Sequence, residues 1–294
     1  MPGFAEQLQR FERNISILGR AKRTFDNYSR HLAAMALHFG CLPTDLDPEQ
    51  VKDYLYELQQ RSKTPSQTYF KHTVYGLRFL LKTEGLPYEH LHLPQIARPD
   101  KLPVILSREE IWSMLHNAQL LKHKLLIGLL YGCGLRCAEV RNLRLTHIDF
   151  HRKLIHIVQS KGNKDRYVPL STHLIRGIQK YLDAGQPKKY LFEGSGNPEK
   201  QDFDGRYSQR GVQWAVKSIA KQAGIIKEVH THMFRHTYAT HLLEDGVNIV
   251  TVQKMMGHAN INSTLIYLHV CTIPESLPQS PLDKVFELCS RSTK

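Results

Sequence analysis

The residues best suited to chemistry lie between positions 232 and 267 of the sequence. His232 and Arg235 are three residues apart, a spacing that places both side chains on one face of a helix. Gly257-His258 follows, and Tyr267 closes the stretch. Each residue alone has an ordinary structural explanation, since histidine is common on helices and tyrosine in cores. Their assignment to chemistry therefore depends on partners from elsewhere in the chain.

Two further segments supply basic side chains of the kind that bind phosphate. Arg136 lies in GCGLRCAEV, after a glycine-punctuated turn, and Lys161 lies at the predicted hairpin tip in QSKGNKDRYVPL. The planar guanidinium of arginine binds phosphate oxygens bidentately and keeps its charge, so Arg136 and Arg235 together could clamp one phosphate. Attack on a phosphodiester builds negative charge on its non-bridging oxygens, and fixed donors stabilise that charge.

A tyrosine nucleophile needs activation, because a pKa of about 10 leaves the phenol almost fully protonated at neutral pH. A nearby base or a positive field must lower the cost of losing that proton, and His232 is the candidate base. His232 and His236 are four residues apart, which is also a zinc-like spacing. The glutamate of a metalloprotease helix is missing, so we expect no metal.

Structural alternatives stay open for the basic residues. Arg136 and Glu139 are three residues apart and can form an ion pair on one helix face. Lys161 can be a solvated turn residue, and Lys164 lies close enough in sequence to be confused with it.

The chain resembles the tyrosine recombinase (phage integrase) family in five segments, which are GLRCAE, SKGNKDR, HMFRH, MGH and a tyrosine nine residues beyond His258. The family's own pattern is G-L-R-x-x-E, a lysine in a β-turn, H-x-L-R-H, L-G-H and that tyrosine. Any one segment is weak, but all five in order with matching gaps are specific. The resemblance runs from about Ser107 to Val270. It implies six catalytic residues and one supporting residue, which are Arg136, Lys161, His232, Arg235, His258 and Tyr267, supported by Glu139.

The resemblance also implies a reaction. Tyr267 would attack the scissile phosphate, form a 3′-phosphotyrosyl bond and free a 5′ hydroxyl. Lys161 would protonate the leaving oxygen, His258 would hydrogen-bond the phosphate, and Glu139 would orient the pocket. The hydroxyl of another strand then attacks the ester, so bond energy is conserved and no cofactor is needed. The expected activity is site-specific DNA recombination for integration, excision or resolution.

Departures from the family pattern are small within the five segments and larger after them. Phe234, Tyr238 and Cys137 replace the usual leucine, phenylalanine and aliphatic residue, and all three are compatible with packing. The tail CTIPESLPQSPLDKVF differs from that of the Xer recombinases, which favours a mobile-element or integron-like member over a simple two-domain Xer-like one. No arm-binding domain is evident before Phe4, which argues against integrases of the lambda type.

Composition agrees with a nucleic-acid partner. The 294 residues carry 40 Lys and Arg against 27 Asp and Glu, a net charge of +13. Residues 1–100 hold 13 basic and 11 acidic side chains, so nearly all of the excess follows residue 100. Five cysteines without disulfide or C-x-x-C spacing, and no signal peptide or membrane span, predict a cytoplasmic protein.

The elements that must position these residues are mainly helices. Apolar spacing predicts about four helices over residues 4–84, a proline-rich linker, and then helices interrupted by an antiparallel hairpin from about Ile148 to Leu170. The expected fold is mainly α with a small antiparallel β-sheet. We predict a helical core-binding domain at 1–86, a linker at 87–104 and an α+β catalytic domain at 105–294, including a tail at 271–294.

The expected partner is double-stranded DNA with an inverted-repeat core site. The two domains would form a C-shaped clamp around the duplex. Six basic residues are candidate DNA contacts: Lys22, Arg23, Lys71, Arg78, Lys164 and Arg166. A homo-tetramer on DNA, or pairing with a related recombinase, is expected, with a tail helix from Leu282 to Leu288 docking on a neighbouring protomer. Two alternatives are a non-cutting DNA-binding accessory protein and a type IB topoisomerase-like relaxing enzyme.

Overall fold

The computed structural model describes residues 2–60, 67–87, 91–93, 102–158, 165–194, 196 and 204–271. The chain divides into two compact units, Met1–Asp100 and Lys101–Lys294. The division falls inside the stretch 87–104, and the domain limits given above stay predictions. No helix in the described ranges is long and apolar enough to cross a membrane.

The first unit is a bundle of helices. Its described helices are α1 (Phe4–Ile17), α2 (Lys22–Phe39), α3 (Pro48–Gln60) and α4 (Gln67–Thr83). The carboxylate of Asp47 caps α3 by accepting from the backbone N–H of Glu49 at 2.7 Å. Phe11 is fully buried at the centre and meets Phe79 edge to face, with ring centroids 5.5 Å apart. The predicted four-helix bundle is confirmed.

The second unit begins with three helices, α5 (Arg108–Asn117), α6 (Leu121–Gly132) and α7 (Cys137–Asn142). Ser107 and Glu110 form a capping box before α5, with the Glu110 carboxylate accepting from the Ser107 N–H at 2.7 Å. Five apolar side chains of α6 are buried on more than one face of the helix, so α6 runs through the core. It is joined to α7 by the turn that carries Arg136.

A 3₁₀ turn (Leu145–His147) leads into an antiparallel sheet of three short strands. These are β1 (Ile148–Asp149), β2 (Leu154–Ile157) and β3 (Arg166–Pro169), in that order across the sheet. Successive side chains of a strand point to opposite faces, and in β3 Arg166 and Val168 are buried while Tyr167 is exposed. The sheet therefore presents Arg166 to the interior.

The remaining described elements are α8 (Thr172–Gly185), α9 (Gln209–Gln222), α10 (Thr231–Glu244), α11 (Ile249–Met256), α12 (Asn262–Leu265) and a 3₁₀ turn (Ile266–His269). Helix α10 is buried on most sides, including its polar residues Arg235, Thr237 and His241. A separate apolar cluster joins α10, α11 and the last turn, and Tyr267 belongs to it. The predicted fold class, mainly α with a small antiparallel sheet, is confirmed.

Candidate active site

The first arginine of the site stands at the start of α7. The backbone N–H and the guanidinium of Arg136 donate to the carboxylate of Glu139 at 2.8 and 2.7 Å. The side chain of Arg136 is 22% exposed, whereas that of Glu139 is 7% exposed. The ion pair considered as a structural alternative therefore exists, and it fixes a partly accessible cation on a buried carboxylate.

Glu139 has a second and more deeply buried partner in Arg166 of β3. The two terminal nitrogens of Arg166 donate to both carboxylate oxygens at 2.9 and 2.8 Å, and its Nε donates to the carbonyl of Met255 at 2.8 Å. Burial alone would raise the pKa of Glu139. The hydrogen bonds and charge of Arg166, with those of Arg136, outweigh burial and hold that pKa at about 2. The carboxylate is thus ionised between two arginines.

The structure corrects the prediction for Arg166. A basic residue beside Lys164 in a hairpin is expected to contact DNA phosphate, but the side chain of Arg166 is 6% exposed. All three of its guanidinium nitrogens donate to protein acceptors. The physical reason is the two-residue period of the strand, which turns Arg166 to the same side as the buried Val168. Arg166 links the hairpin to α7 and to the end of α11.

Arg235 is fully buried on α10. It donates to the carbonyl of Gly134 at 2.7 Å and also to the carbonyl of Met256. Burial, and next the charge of Arg136, lower the pKa of Arg235 to about 9, which leaves the guanidinium charged at neutral pH. Gly134 has φ +59°, and a Cβ there would lie 2.3 Å from the ring of Tyr238, so only glycine brings this carbonyl to Arg235.

His258 follows the end of α11 and is oriented by a hydroxyl. Its Nδ1 lies 2.9 Å from Oγ1 of the fully buried Thr264, so Nε2 is the ring nitrogen suited to a phosphate oxygen. Burial, followed by the charges of Arg235 and Arg136, lowers the pKa of His258 to about 4. The imidazole is therefore neutral near pH 7 and acts as a hydrogen-bonding group.

Tyr267 lies in the last described turn with only 2% of its surface exposed. Its hydroxyl is 3.1 Å from Nδ1 of His236, and its ring stacks on that of His258 with centroids 6.3 Å apart. Burial raises the pKa of Tyr267, while the charges of Arg235 and Arg136 act in the opposite direction. The phenol is therefore protonated, and two arginines are close enough to favour its ionised form.

His232 joins the site through its neighbour on the helix. Its side chain is exposed, and its ring lies 4.5 Å from that of His236, at an interplanar angle of 77°. The second unit thus brings together five of the seven predicted residues directly, namely Arg136, Glu139, Arg235, His258 and Tyr267, with His232 beside them. Lys161 and Lys164 fall in 159–164, outside the described residues.

The other predicted DNA contacts belong to the first unit. Lys22 and Arg23 are exposed at the start of α2. Lys71 and Arg78 are half-buried on α4, and both approach the ring of Tyr75, at 5.6 and 6.0 Å from its centroid. Arg78 also donates to the carbonyl of Leu93 at 3.0 Å. Their contact with DNA stays a prediction.

The sequence of this site is shared with a known protein family. The model of the phage integrase family matches residues 105–272, which include every residue predicted above to be catalytic. The chain belongs to the phage integrase family. Within the family it is similar to a tyrosine recombinase of Thermosipho africanus, with 32% identity over 85% of this chain and 89% of that protein. It is equally similar to the tyrosine recombinase XerA of Pyrococcus horikoshii, with 32% identity over 90% of this chain and 89% of that one.

Solved structures of a site-specific recombinase and a transposon integrase share the fold. The XerH site-specific recombinase bound to a palindromic difH substrate gives a TM-score of 0.67 at 20% identity, covering 92% of this chain and 80% of that one. The Tn1549 transposon integrase in complex with transposon right-end DNA gives 0.64 at 17% identity, covering 98% and 99%. These two neighbours come from both subgroups considered above, so the choice between an Xer-like and a mobile-element member stays a prediction.

The sequence did not identify His236 and Thr264 as residues of this phage integrase site. It also did not predict that Arg166 would bond to Glu139 and Met255 in the interior. The two-residue period of β3 was a usable signal for Arg166. His236 is four residues after His232, so the helical spacing placed them together, but nothing in the sequence placed Tyr267 against His236. Thr264 contacts His258 through a turn whose geometry the sequence does not specify.

Proposed function

We propose that this recombinase cleaves and rejoins DNA strands at specific sites, with Tyr267 as the nucleophile that forms a 3′-phosphotyrosyl intermediate. The observation that carries the proposal is the gathering of two arginines and His258 around one buried phenol. Burial raises the pKa of Tyr267, and the charges of Arg235 and Arg136 oppose that rise, as positive charges in the same pocket do. A phosphate bound by those arginines would therefore lie close to the nucleophile.

The residues have complementary tasks in this mechanism. Arg136 is partly exposed and is held by the carboxylate of Glu139, so it would contact the phosphate first. Arg235 is fixed by two carbonyl groups, so its charge is preorganised for the oxyanion of the transition state. His258 donates from Nε2 to a phosphate oxygen, and Lys161 protonates the 5′ oxygen as it leaves. A second strand's 5′ hydroxyl then displaces Tyr267, and no cofactor enters the step.

The substrate is double-stranded DNA, and the finer details belong to this proposal. We expect a core site with inverted repeats, bound by a homo-tetramer or by two related recombinases. Lys22, Arg23, Lys71, Arg78 and Lys164 would contribute phosphate contacts, which set position and salt dependence but do not read sequence. The cytoplasm is the expected compartment because the DNA substrate is there.

A suicide-substrate assay tests the nucleophile. DNA duplexes bound by the full chain are first selected from a random pool, and a nick is then placed beside the candidate cleavage position. Cleavage releases a short fragment, so religation fails and a covalent protein–DNA complex accumulates on a denaturing gel. Wild type should form this complex and Tyr267→Phe should not, although phenylalanine keeps the ring packing.

The same assay separates the alternatives. Tight binding without any covalent complex in wild type would refute the proposal and support a non-cutting accessory protein. Covalent complex with relaxation of supercoiled plasmid, but without strand exchange between two sites, would support a type IB topoisomerase-like enzyme instead. Recombinant product from two site-bearing duplexes is the result expected.

A further inference from the structure

The hydroxyl of the nucleophile has a partner that the site pattern does not assign. Nδ1 of His236 lies 3.1 Å from Oη of Tyr267, and the two ring centroids are 5.6 Å apart. His236 is half-buried on α10, and Tyr267 is 2% exposed. The expected base, His232, is one helical turn away and exposed.

We propose that His236 is a further catalytic residue, which orients the Tyr267 hydroxyl and takes its proton as the bond to phosphorus forms. This inference rests on the proposed function of Tyr267 as the nucleophile. In the forward step the phenolic oxygen bonds to phosphorus, its proton moves to Nδ1 of His236, and the bond from phosphorus to the 5′ oxygen breaks. The leaving oxygen receives a different proton, from Lys161. In religation the imidazolium of His236 returns the proton to the departing phenol.

The surroundings of His236 suit an acceptor. Burial, and then the charges of His232, His230 and Arg235, lower the pKa of His236 to about 4, so the ring is neutral and Nδ1 can accept from the phenol. Tyr267 faces it from the last 3₁₀ turn, and His232 packs on its ring from the preceding helical turn. A neutral ring in contact with the reacting oxygen needs no prior rearrangement.

The charge of the substrate makes this histidine a stronger base. Burial is the main cause of the low pKa of His236, and a phosphate anion bound near Arg235 offsets the smaller part that comes from the charge of Arg235. The phenol meanwhile becomes more acidic as its oxygen bonds to phosphorus. Proton transfer within the transition state then requires no free phenolate, and such general-base help is worth roughly 10²- to 10⁴-fold in rate.

The test separates the proton acceptor from the proton donor by changing the leaving group. The selected duplex is made with a 5′-bridging sulfur at the scissile position, because a thiolate leaves without a proton. Single-turnover rates of covalent complex formation are measured with the oxygen and the sulfur substrates. Loss of the acid in Lys161→Ala should be rescued by sulfur, whereas loss of the base in His236→Ala should remain slow, by about 100-fold or more, on both substrates.

Two further variants control for structure. His241 lies on the same helix, is 6% exposed, and pairs through Nδ1 with the hydroxyl of Tyr131 at 2.9 Å. His241→Ala therefore removes an equivalent buried histidine–tyrosine contact away from the nucleophile, and it should cleave near the wild-type rate. His236→Gln offers a carbonyl oxygen to Tyr267 but no basic nitrogen, and it should stay slow while binding DNA as wild type does.

The outcomes are distinct. If wild type forms no covalent complex, the proposed function itself fails. If wild type forms it and His236→Ala matches its rate, the inference about His236 is overturned while the proposed function stands. Rescue of His236→Ala by the sulfur substrate would make His236 part of the acid side and overturn its role as acceptor. A wild-type rate in His236→Gln would overturn proton transfer.

Discussion

At the scale of single residues, the site depends on a buried carboxylate that is paired with two arginines. Glu139 is 7% exposed and accepts four side-chain and backbone hydrogen bonds from two arginines. Removing one member of a buried ion pair leaves an uncompensated charge, at a cost of about 3–5 kcal/mol. The positions of Arg136 and Arg166 therefore depend on the carboxylate of Glu139.

Glu139→Gln should lower the free energy of unfolding, and the loss should depend on pH. The pKa of Glu139 is held at about 2 in the folded chain, against an ordinary value of 4.5, so its contribution is full above pH 4.5 and disappears as pH falls through about 2. The difference between wild type and Glu139→Gln, measured by urea unfolding, should therefore shrink as pH is lowered from 5 toward about 2.

Arg166→Met is the matched control for this effect. Because Arg166 contributes most to holding the pKa of Glu139 down, its removal should weaken the same pH dependence. A stability difference between wild type and Glu139→Gln that stays constant from neutral to acid pH would contradict the ion-pair explanation.

At the scale of elements, the sharpest constraint is the end of α11. Gly257 has φ +62°, and a Cβ at this position would lie 3.0 Å from Cδ of Arg166. The left-handed backbone conformation and the close approach of Arg166 both favour glycine at this position. The turn delivers His258 to the site, and the preceding carbonyls of Met255 and Met256 receive Arg166 and Arg235.

Gly257→Ala should therefore destabilise the chain and slow cleavage. The left-handed backbone alone costs an ordinary residue about 1–2 kcal/mol, and displacement of Arg166 adds to it. Gly246→Ala is a matched control, since Gly246 has φ +81° at the end of α10 with nothing within 4 Å of the added carbon. Thermal unfolding should show a larger stability loss for Gly257→Ala than for Gly246→Ala. Covalent trapping should show a loss of cleavage for Gly257→Ala only. Equal effects at both positions would exclude the contact with Arg166 as the cause.

At the scale of the whole molecule, the sequence predicted architecture better than internal contacts. Helical spacing located α3 through Val51, Tyr54, Leu55 and Leu58, all of which are buried. Periodicity and a capping box are local signals, so a single sequence carries them. The contacts of His236 with Tyr267 and of Thr264 with His258 depend on how a short turn returns to α10 and α11. No residue spacing encodes that geometry, and both partners were therefore missed.

Assembly is also a whole-molecule property, and we retain the prediction made for the tail. The segment 272–294 lies outside the described residues, and its sequence places apolar side chains at 282, 285, 286 and 288. Deleting residues 278–294 should weaken multimer formation on DNA while sparing the fold of the monomer. Native gel shifts would show the loss of higher complexes, and circular dichroism would check the fold. Unchanged multimers would refute a docking role.

The location of Tyr267 has a kinetic consequence. Its backbone lies in a four-residue 3₁₀ turn, whose hydrogen-bond geometry is poorer than that of an α-helix. The groups proposed to bind phosphate, Arg235, Arg136 and His258, lie on α10, at the start of α7 and just after α11. Short, weakly bonded segments open locally at a fraction of the global unfolding free energy. Under the proposed mechanism, this turn can therefore release Tyr267, and later the DNA end attached to it, while the groups proposed to bind phosphate stay assembled for the second chemical step.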